Sequence, residues 1–110
     1  MDIIETIKEQ IDNNNILLYM KGSPNQPQCG FSARTVDALM QCGERFAYVD
    51  ILQNPDIRAN LPKYANWPTF PQLWVDGELI GGCDIVTEMF ESGELQTLIK
   101  DASAAASAAE

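Results

Sequence analysis

The chain has 110 residues, of which 45% are hydrophobic, enough for one domain with a single buried core. Its net charge of −9 disfavours a nucleic-acid partner, because 7 basic residues against 16 acidic ones leave phosphate repulsion uncompensated. The chain has no histidine, which excludes imidazole as a metal ligand or general base. No apolar run reaches the roughly 20 residues of a membrane span, and the first residues lack a signal-peptide pattern. We therefore expect a cytoplasmic protein that has no membrane partner.

The first part of the chain predicts a helix, a strand and a second helix. The first helix follows Asp2 as its N-cap and ends at the asparagines of residues 13–15. The apolar run Ile16–Met20 is typical of a strand that is buried on both faces. Glycine and proline in residues 21–28 indicate a loop. The second helix is expected from about Gly30 to Cys42, with Gly43 ending it.

The second part of the chain predicts a strand, a helix, a hairpin and two final helices. These elements are a strand over Phe46–Asp50, a helix from Pro55 to about Tyr64 capped by Asn54, and the hairpin runs Gln72–Val75 and Glu78–Gly81. Asp76-Gly77 between the two runs is a strong turn signal, and Asp84 is expected to cap the next helix. Residues 102–110 contain only Ala, Ser and one Glu. We therefore expect a domain over residues 1–101 and a flexible C-terminal tail.

The order of these elements predicts an α/β protein with one mixed sheet. A strand–helix–strand unit with a right-handed crossover gives a parallel pair, and the hairpin adds two antiparallel strands. A four-stranded mixed sheet flanked by helices in this order is the thioredoxin-like arrangement. In that arrangement Cys29 falls on the turn between the first strand and the helix that follows it.

Cys29-Gly30-Phe31-Ser32 is the most informative motif. A Cys-x-x-Cys pair here would indicate a dithiol redox site, but Ser32 replaces the second sulfur. Thiol–disulfide exchange passes through a mixed disulfide that another thiol must resolve, so Cys29 needs an outside thiol or binds something other than a disulfide. Its position at a helix N-terminus, with Lys21 nearby, favours the thiolate. A buried, unreactive Cys29 is the alternative, which the neighbouring glycine and the preceding Pro-rich loop disfavour.

Cys42 and Cys83 complete an odd number of cysteines. Cys42 lies thirteen residues after Cys29 on one helix, about 20 Å along the axis. We therefore interpret Cys42 as a small hydrophobic residue at a helix end. Cys83 can lie nearer to Cys29, and a disulfide between these two remains open.

Four motifs together resemble the monothiol glutaredoxins of the CGFS type. They are Lys21-Gly22-Ser23-Pro24, Cys29-Gly30-Phe31-Ser32, Trp67-Pro68-Thr69-Phe70-Pro71 and Gly81-Gly82-Cys83-Asp84. The likeness runs in order from the first helix to about Lys100 and is greatest to the single-domain bacterial members. It implies the glutaredoxin version of the thioredoxin-like fold.

The resemblance implies a glutathione site around Cys29. Lys21 and Arg58 would face the glycyl carboxylate of glutathione, and the Phe70 backbone would pair with the cysteinyl part like an added strand. Cys83 and Asp84 would bind the γ-glutamyl end through backbone N–H groups and the Asp84 carboxylate. The implied site consists of Lys21, Cys29, Phe31, Arg58, Trp67, Thr69, Phe70, Pro71, Gly82, Cys83 and Asp84.

The residues alone leave other interpretations open. Lys21 and Arg58 could equally be solvated surface charges, and Trp67 a packing residue. Gly81-Gly82 could serve a close backbone approach or a bulge. The resemblance implies a cis Phe70–Pro71 bond that turns the backbone toward Cys29, whereas only about 5–6% of X–Pro bonds are cis.

The resemblance further implies that two chains share a [2Fe–2S] cluster. Such a cluster takes four ligands, usually thiolates; Cys29 from each chain would supply two, and two glutathione thiolates the others. The implied protein is a carrier in iron–sulfur cluster assembly, a homodimer when cluster-bound, with iron–sulfur acceptor proteins and BolA-family proteins as partners. The alternative is a glutathione-dependent thiol–disulfide oxidoreductase with Cys29 as its catalytic residue. We expect this activity to be weak, because the loop between Lys21 and Cys29 is longer than in dithiol relatives.

Overall fold

A computed structural model describes the backbone of residues 2–109 and the side chains of residues 2–106. Helices and strands alternate through the first half of the chain, and a hairpin and two helices complete it. The elements are α1 (Ile3–Asn13), β1 (Ile16–Met20), α2 (Gly30–Gln41), β2 (Ala47–Asp50), α3 (Pro55–Ala65), β3 (Gln72–Val75), β4 (Glu78–Gly81), α4 (Cys83–Ser92) and α5 (Glu94–Ala109). None of the helices within residues 2–109 is both long and apolar enough to span a membrane.

The four strands form one mixed sheet in the order β2-β1-β3-β4. β1 runs parallel to β2 and antiparallel to β3, and β3 pairs antiparallel with β4. All five residues of β1 are buried, as expected for an apolar central strand that is covered on both faces. The sheet and its helices confirm the predicted thioredoxin-like fold.

Two hydrophobic clusters cover the two faces of the sheet. Ile16, Leu18 and Met20 of β1 belong to the cluster with α2, α4 and α5. Leu17 and Tyr19 point to the other face, into the cluster with α1 and α3. The period of two along β1 therefore divides one apolar run between two cores.

One end of the sheet gathers the chain segments that carry the motifs. Tyr19 of β1 is paired with Gln72 of β3, and Met20 with Asp50 of β2. Leu73 of β3 is paired with Gly81 of β4. The loop after β1, the segment before β3 and the turn after β4 consequently meet at this end.

The predicted N-cap residues of the helices are only partly confirmed. The Asp2 carboxylate accepts a 2.9 Å hydrogen bond from the Glu5 N–H, which confirms the predicted cap. Asn54 precedes α3, but its side chain donates to the Asp50 carbonyl and makes no capping bond. The prediction that Asp84 caps α4 is wrong, because the N-cap is Gly82 and Asp84 lies in the first turn.

The predicted boundary between residues 101 and 102 falls inside α5. α5 continues to Ala109, and the Ala102 side chain is only 3% exposed within the core. The Asn15 side-chain amide donates a 3.0 Å hydrogen bond to the Ala102 carbonyl, and the Ser103 hydroxyl donates one of 3.1 Å to the Glu44 carboxylate. The small side chain of Ala102 is thus sufficient to pack the first residue of the predicted tail against the core. Flexibility of the later tail stays a prediction, and Glu110 lies outside the described residues.

Candidate functional site

A groove of about 690 Å³ opens at the motif-bearing end of the sheet. Its lining residues are Lys21, Phe31, Arg58, Pro62, Trp67, Pro68, Thr69, Phe70, Pro71, Gly82, Cys83, Asp84 and Ile85. Ten of the eleven predicted site residues therefore meet in one groove, and Cys29 is not among its lining residues. Pro62, Pro68 and Ile85 were not predicted as site residues, although Pro68 lies inside a quoted motif.

Cys29 is the N-cap residue of α2, beside the groove-lining Phe31. Its side chain is partly exposed, so Cys29 is not the buried cysteine of the alternative interpretation. The backbone N–H of Ser32 is the main cause that lowers the pKa of the Cys29 thiol, and burial opposes it. The backbone N–H of Phe31, the charge of Lys21 and the Ser32 side chain lower this pKa further. The helix N-terminus thus favours the thiolate, as the sequence predicted.

Two hydrogen bonds, one from its N–H and one to its carbonyl, hold the Lys21 backbone next to Cys29. Its N–H donates a 3.1 Å hydrogen bond to the hydroxyl of Ser32, which is fully buried. Its carbonyl accepts a 2.9 Å bond from the Gln28 N–H. These two bonds fix the backbone from which the Lys21 side chain extends, and the Lys21 charge is one cause of the lowered pKa of the Cys29 thiol.

The loop between Lys21 and Cys29 is folded against the end of the sheet. The Gly22 N–H donates a 2.9 Å hydrogen bond to the Asp50 carboxylate, and the same oxygen accepts one of 2.9 Å from Leu52. Gly22 has a φ of +91°, and a Cβ at this position would stand 2.4 Å from the Gln26 carbonyl oxygen. Only glycine fits this conformation and this space.

The segment Trp67–Pro71 forms one wall of the groove. The Phe70–Pro71 bond is cis, as the resemblance implied. The N–H groups of Thr69 and Phe70 donate no hydrogen bond to backbone within residues 2–109, and Pro68 has no N–H to offer. Thr69 is exposed and Phe70 is half-buried. A ligand with a peptide backbone can therefore bind these free backbone groups.

The start of α4 contributes another part of the groove lining. Gly81 lies at a bulge against β3, and a Cβ there would stand 2.7 Å from the Ile85 side chain. A Cβ on Gly82 would stand 3.2 Å from the Pro71 carbonyl oxygen and 3.6 Å from the Trp67 Nε1. Both possibilities weighed for the two glycines, a bulge and a close backbone approach, thus occur. The first-turn N–H groups of a helix lack intrahelical partners and attract anions, so this terminus suits a carboxylate.

The other two cysteines differ from Cys29 in their surroundings. Cys42 is the C-cap residue of α2, where its thiol contacts the Ala38 carbonyl at 3.3 Å and burial raises the pKa of that thiol. Cys83 is buried, with its sulfur 3.9 Å from the Thr87 hydroxyl. All three cysteines are free thiols. Residues 2–109 contain no group of three or more His, Cys, Asp or Glu side chains placed to hold a metal ion.

Comparisons with known proteins agree with this geometry. The Glutaredoxin family model matches residues 16–80. Glutaredoxin 4 of Escherichia coli strain K12 is 76% identical over 101 residues, covering 92% of this chain and 88% of that protein. Glutaredoxin 4 of Pasteurella multocida strain Pm70 is 69% identical over 104 residues, covering 94% and 95% respectively. The solution structure of reduced poplar apo GrxS14 matches with a TM-score of 0.77 and 43% identity, covering 91% of this chain and 92% of that one. The chain belongs to the glutaredoxin family, with the single-domain bacterial monothiol members.

Proposed function

We propose that this glutaredoxin binds glutathione in its groove and shares a [2Fe–2S] cluster between two copies, as a carrier in iron–sulfur protein assembly. The observation that carries the proposal is the single thiolate-favouring cysteine at the site, Cys29. The position of a second sulfur is taken by the buried hydroxyl of Ser32, which accepts the Lys21 N–H. Such a site contains one thiolate and has no neighbouring thiol with which that thiolate could form a disulfide.

The groove matches the chemistry of glutathione. Glutathione carries two carboxylates and one ammonium group. Lys21 and Arg58 supply cations for one carboxylate, and the α4 N-terminus supplies N–H groups for the other. The Asp84 carboxylate is an anion for the ammonium group. The free Phe70 N–H offers a backbone partner for the cysteinyl part.

Two copies are needed to complete a cluster. A [2Fe–2S] cluster takes four ligands, usually thiolates. The described part of this chain contains no group of three or more side chains placed to bind a metal ion. Cys29 of each copy and one glutathione thiolate beside each of them give four. Half of the ligands are then exchangeable small molecules, so the cluster can leave for an acceptor protein without unfolding of the carrier.

The proposed partners are a second copy of the chain, iron–sulfur acceptor proteins and a BolA-family protein that replaces one copy. Phe31 and Ile85 support a protein contact at this face, because both line the groove and both are exposed large apolar side chains. Phe31 is 55% exposed and lies two residues from the thiol.

Anaerobic reconstitution tests this function. Wild-type protein, Cys29→Ser and Cys42→Ser are each incubated with ferrous iron, sulfide and glutathione, and their visible absorption and chain mass are measured. We expect a coloured dimer from the wild type and from Cys42→Ser, and none from Cys29→Ser or from wild type without glutathione. A coloured species from Cys29→Ser, or colour independent of glutathione, contradicts the proposal.

The lowered pKa of Cys29 also favours a second candidate, a glutathione-dependent oxidoreductase. In this reaction the Cys29 thiolate attacks the glutathione sulfur of a protein–glutathione mixed disulfide and releases the protein thiolate. A second glutathione thiolate then attacks the Cys29–glutathione disulfide, which forms glutathione disulfide and regenerates Cys29. A thiol-transferase assay separates the two candidates. Turnover comparable to that of a dithiol glutaredoxin favours the enzyme, and much slower turnover favours the carrier.

A further inference from the structure

A buried glutamine side chain lies behind the wall of the groove. Gln72 is the first residue of β3, and it is fully buried although its side chain is polar. It does not line the groove, and the sequence indicated it only as a strand residue. A polar side chain in this position requires hydrogen-bond partners, because an unpaired amide is costly to bury.

The Gln72 amide has two of its three hydrogen-bond partners in the groove wall. Its Nε2 donates to the Trp67 carbonyl at 3.1 Å and to the Thr69 carbonyl at 3.2 Å. Its Oε1 accepts a 3.2 Å hydrogen bond from the Trp74 Nε1. Both amide hydrogens are thus used on the segment that forms the wall.

The wall segment has few other hydrogen bonds to hold it. The Trp67 N–H donates to the Pro62 carbonyl at 3.0 Å, and beyond that bond the N–H groups of residues 67–71 make no backbone hydrogen bond within the described chain. Two of these residues, Pro68 and Pro71, have no N–H. The Gln72 side chain therefore supplies the contacts that turn the carbonyls of residues 67 and 69 inward.

We infer that Gln72 is a positioning residue of the glutathione groove. By holding the carbonyls of Trp67 and Thr69 toward the interior, it leaves the Phe70 N–H presented to the ligand. This inference rests on the proposed function, since it concerns the affinity of the same groove for glutathione. A residue with only a structural role would lower the stability of the domain without a selective effect on the ligand.

The test compares Gln72→Met with Gln96→Met as the matched control. Gln96 is a partly buried glutamine whose Nε2, like that of Gln72, donates to a backbone carbonyl, that of Phe90 at 3.1 Å, but it lies outside the groove. Reduced glutathione is titrated into each folded protein, and its affinity is followed by NMR. We expect Gln72→Met to weaken binding by about tenfold or more, as expected for the loss of about 1.4 kcal/mol. The rate at which iodoacetamide alkylates Cys29 should remain that of the wild type in both variants.

Gln72→Glu provides a second measurement that does not depend on the fold of the methionine variant. A carboxylate at this position has no hydrogen to donate to the two carbonyls, whereas the protonated acid has one. Burial, with the carbonyl oxygens of Trp67 and Thr69 as neighbours, raises the pKa of such a carboxyl. The affinity of this variant for glutathione, divided by that of the wild type at the same pH, should therefore rise several-fold between about pH 8 and about pH 5.

The outcomes separate this inference from the proposed function. Wild-type protein that fails to bind glutathione contradicts the proposed function itself. If the wild type binds and Gln72→Met binds equally well, or Gln96→Met is weakened to the same degree, only the role of Gln72 is refuted. A pH-independent affinity ratio for Gln72→Glu refutes it as well.

Discussion

The backbone N–H of Lys21 donates a 3.1 Å hydrogen bond to the buried hydroxyl of Ser32. Ser32 occupies the position at which a dithiol protein has its second cysteine, and here it ties the end of β1 to the first turn of α2. Sulfur is a weaker acceptor than a hydroxyl oxygen. Ser32 therefore does more than replace a second thiol, because it also helps to hold Lys21 beside Cys29.

Replacing this hydroxyl should destabilise the domain. We expect Ser32→Ala to lower the free energy of unfolding by about 1–2 kcal/mol, because the Lys21 N–H loses its acceptor in a buried place. Urea denaturation measures the effect. Ser92→Ala is the matched control, since its exposed hydroxyl accepts the Glu94 N–H at 3.2 Å and water can replace it. Equal losses of unfolding free energy in the two variants would show that the Lys21–Ser32 hydrogen bond contributes no more to stability than an exposed one.

The pH dependence of alkylation should distinguish Cys29 from Cys42. Only the thiolate reacts with iodoacetamide, so the midpoint of the rate against pH reports the pKa of each thiol. The N–H of Ser32 lowers the pKa of Cys29, and burial raises the pKa of Cys42. Peptide mapping by mass spectrometry should therefore give a midpoint below that of a free cysteine for Cys29 and above it for Cys42. The reverse order would contradict our assignment of the reactive thiol.

The two cations of the groove should contribute differently to the site. Lys21→Gln and Arg58→Gln should each weaken glutathione binding by about three- to tenfold, the range of a partly screened charge-assisted contact. Lys21→Gln should also raise the pKa of Cys29, because the Lys21 charge is one cause of its lowering. Arg45→Gln is the control, since Arg45 is exposed and does not line the groove. If all three variants bind glutathione like the wild type, Lys21 and Arg58 are surface charges after all.

Gly22 should tolerate substitution far less than a glycine with a similar backbone in open space. Gly22 and Gly43 have φ values of +91° and +77°, but a Cβ meets nothing within 4 Å at Gly43. Gly43→Ala should therefore cost only the left-handed conformation, about 1–2 kcal/mol. Gly22→Ala should cost at least about 1 kcal/mol more, because the added Cβ overlaps the Gln26 carbonyl. Denaturation midpoints that agree within error would show that the loop simply moves aside.

Most of the fold could be predicted from local sequence signals. The apolar run of β1, the Asp76-Gly77 turn and the periodic helices define their elements to within one or two residues of the observed bounds, except that α5 continues through the predicted tail to Ala109. The cap of α4 was missed because an aspartate is a better capping residue than glycine, and close packing against Pro71 and Trp67 places glycine at that position instead. The attachment of Ala102 was missed because burial of a methyl group depends on the neighbouring core and on Asn15, which no local pattern reveals.

The lining of the groove could be predicted only through the resemblance, because its residues come from five separate parts of the chain. Composition and spacing alone left open whether Lys21 and Arg58 are ligand contacts or surface charges. The role inferred for Gln72 could not be predicted at all. Its position after a proline and before an apolar run indicates a strand, and the two carbonyls that it binds become its neighbours only in the folded chain.

We propose that one Cys29 thiolate per chain and glutathione together bind the cluster. Native mass spectrometry of the anaerobically reconstituted protein measures the composition of this complex. We expect a species whose mass equals two chains, two glutathione molecules and one [2Fe–2S] cluster. A cluster on a single chain, or a cluster-bound dimer without glutathione, would contradict it.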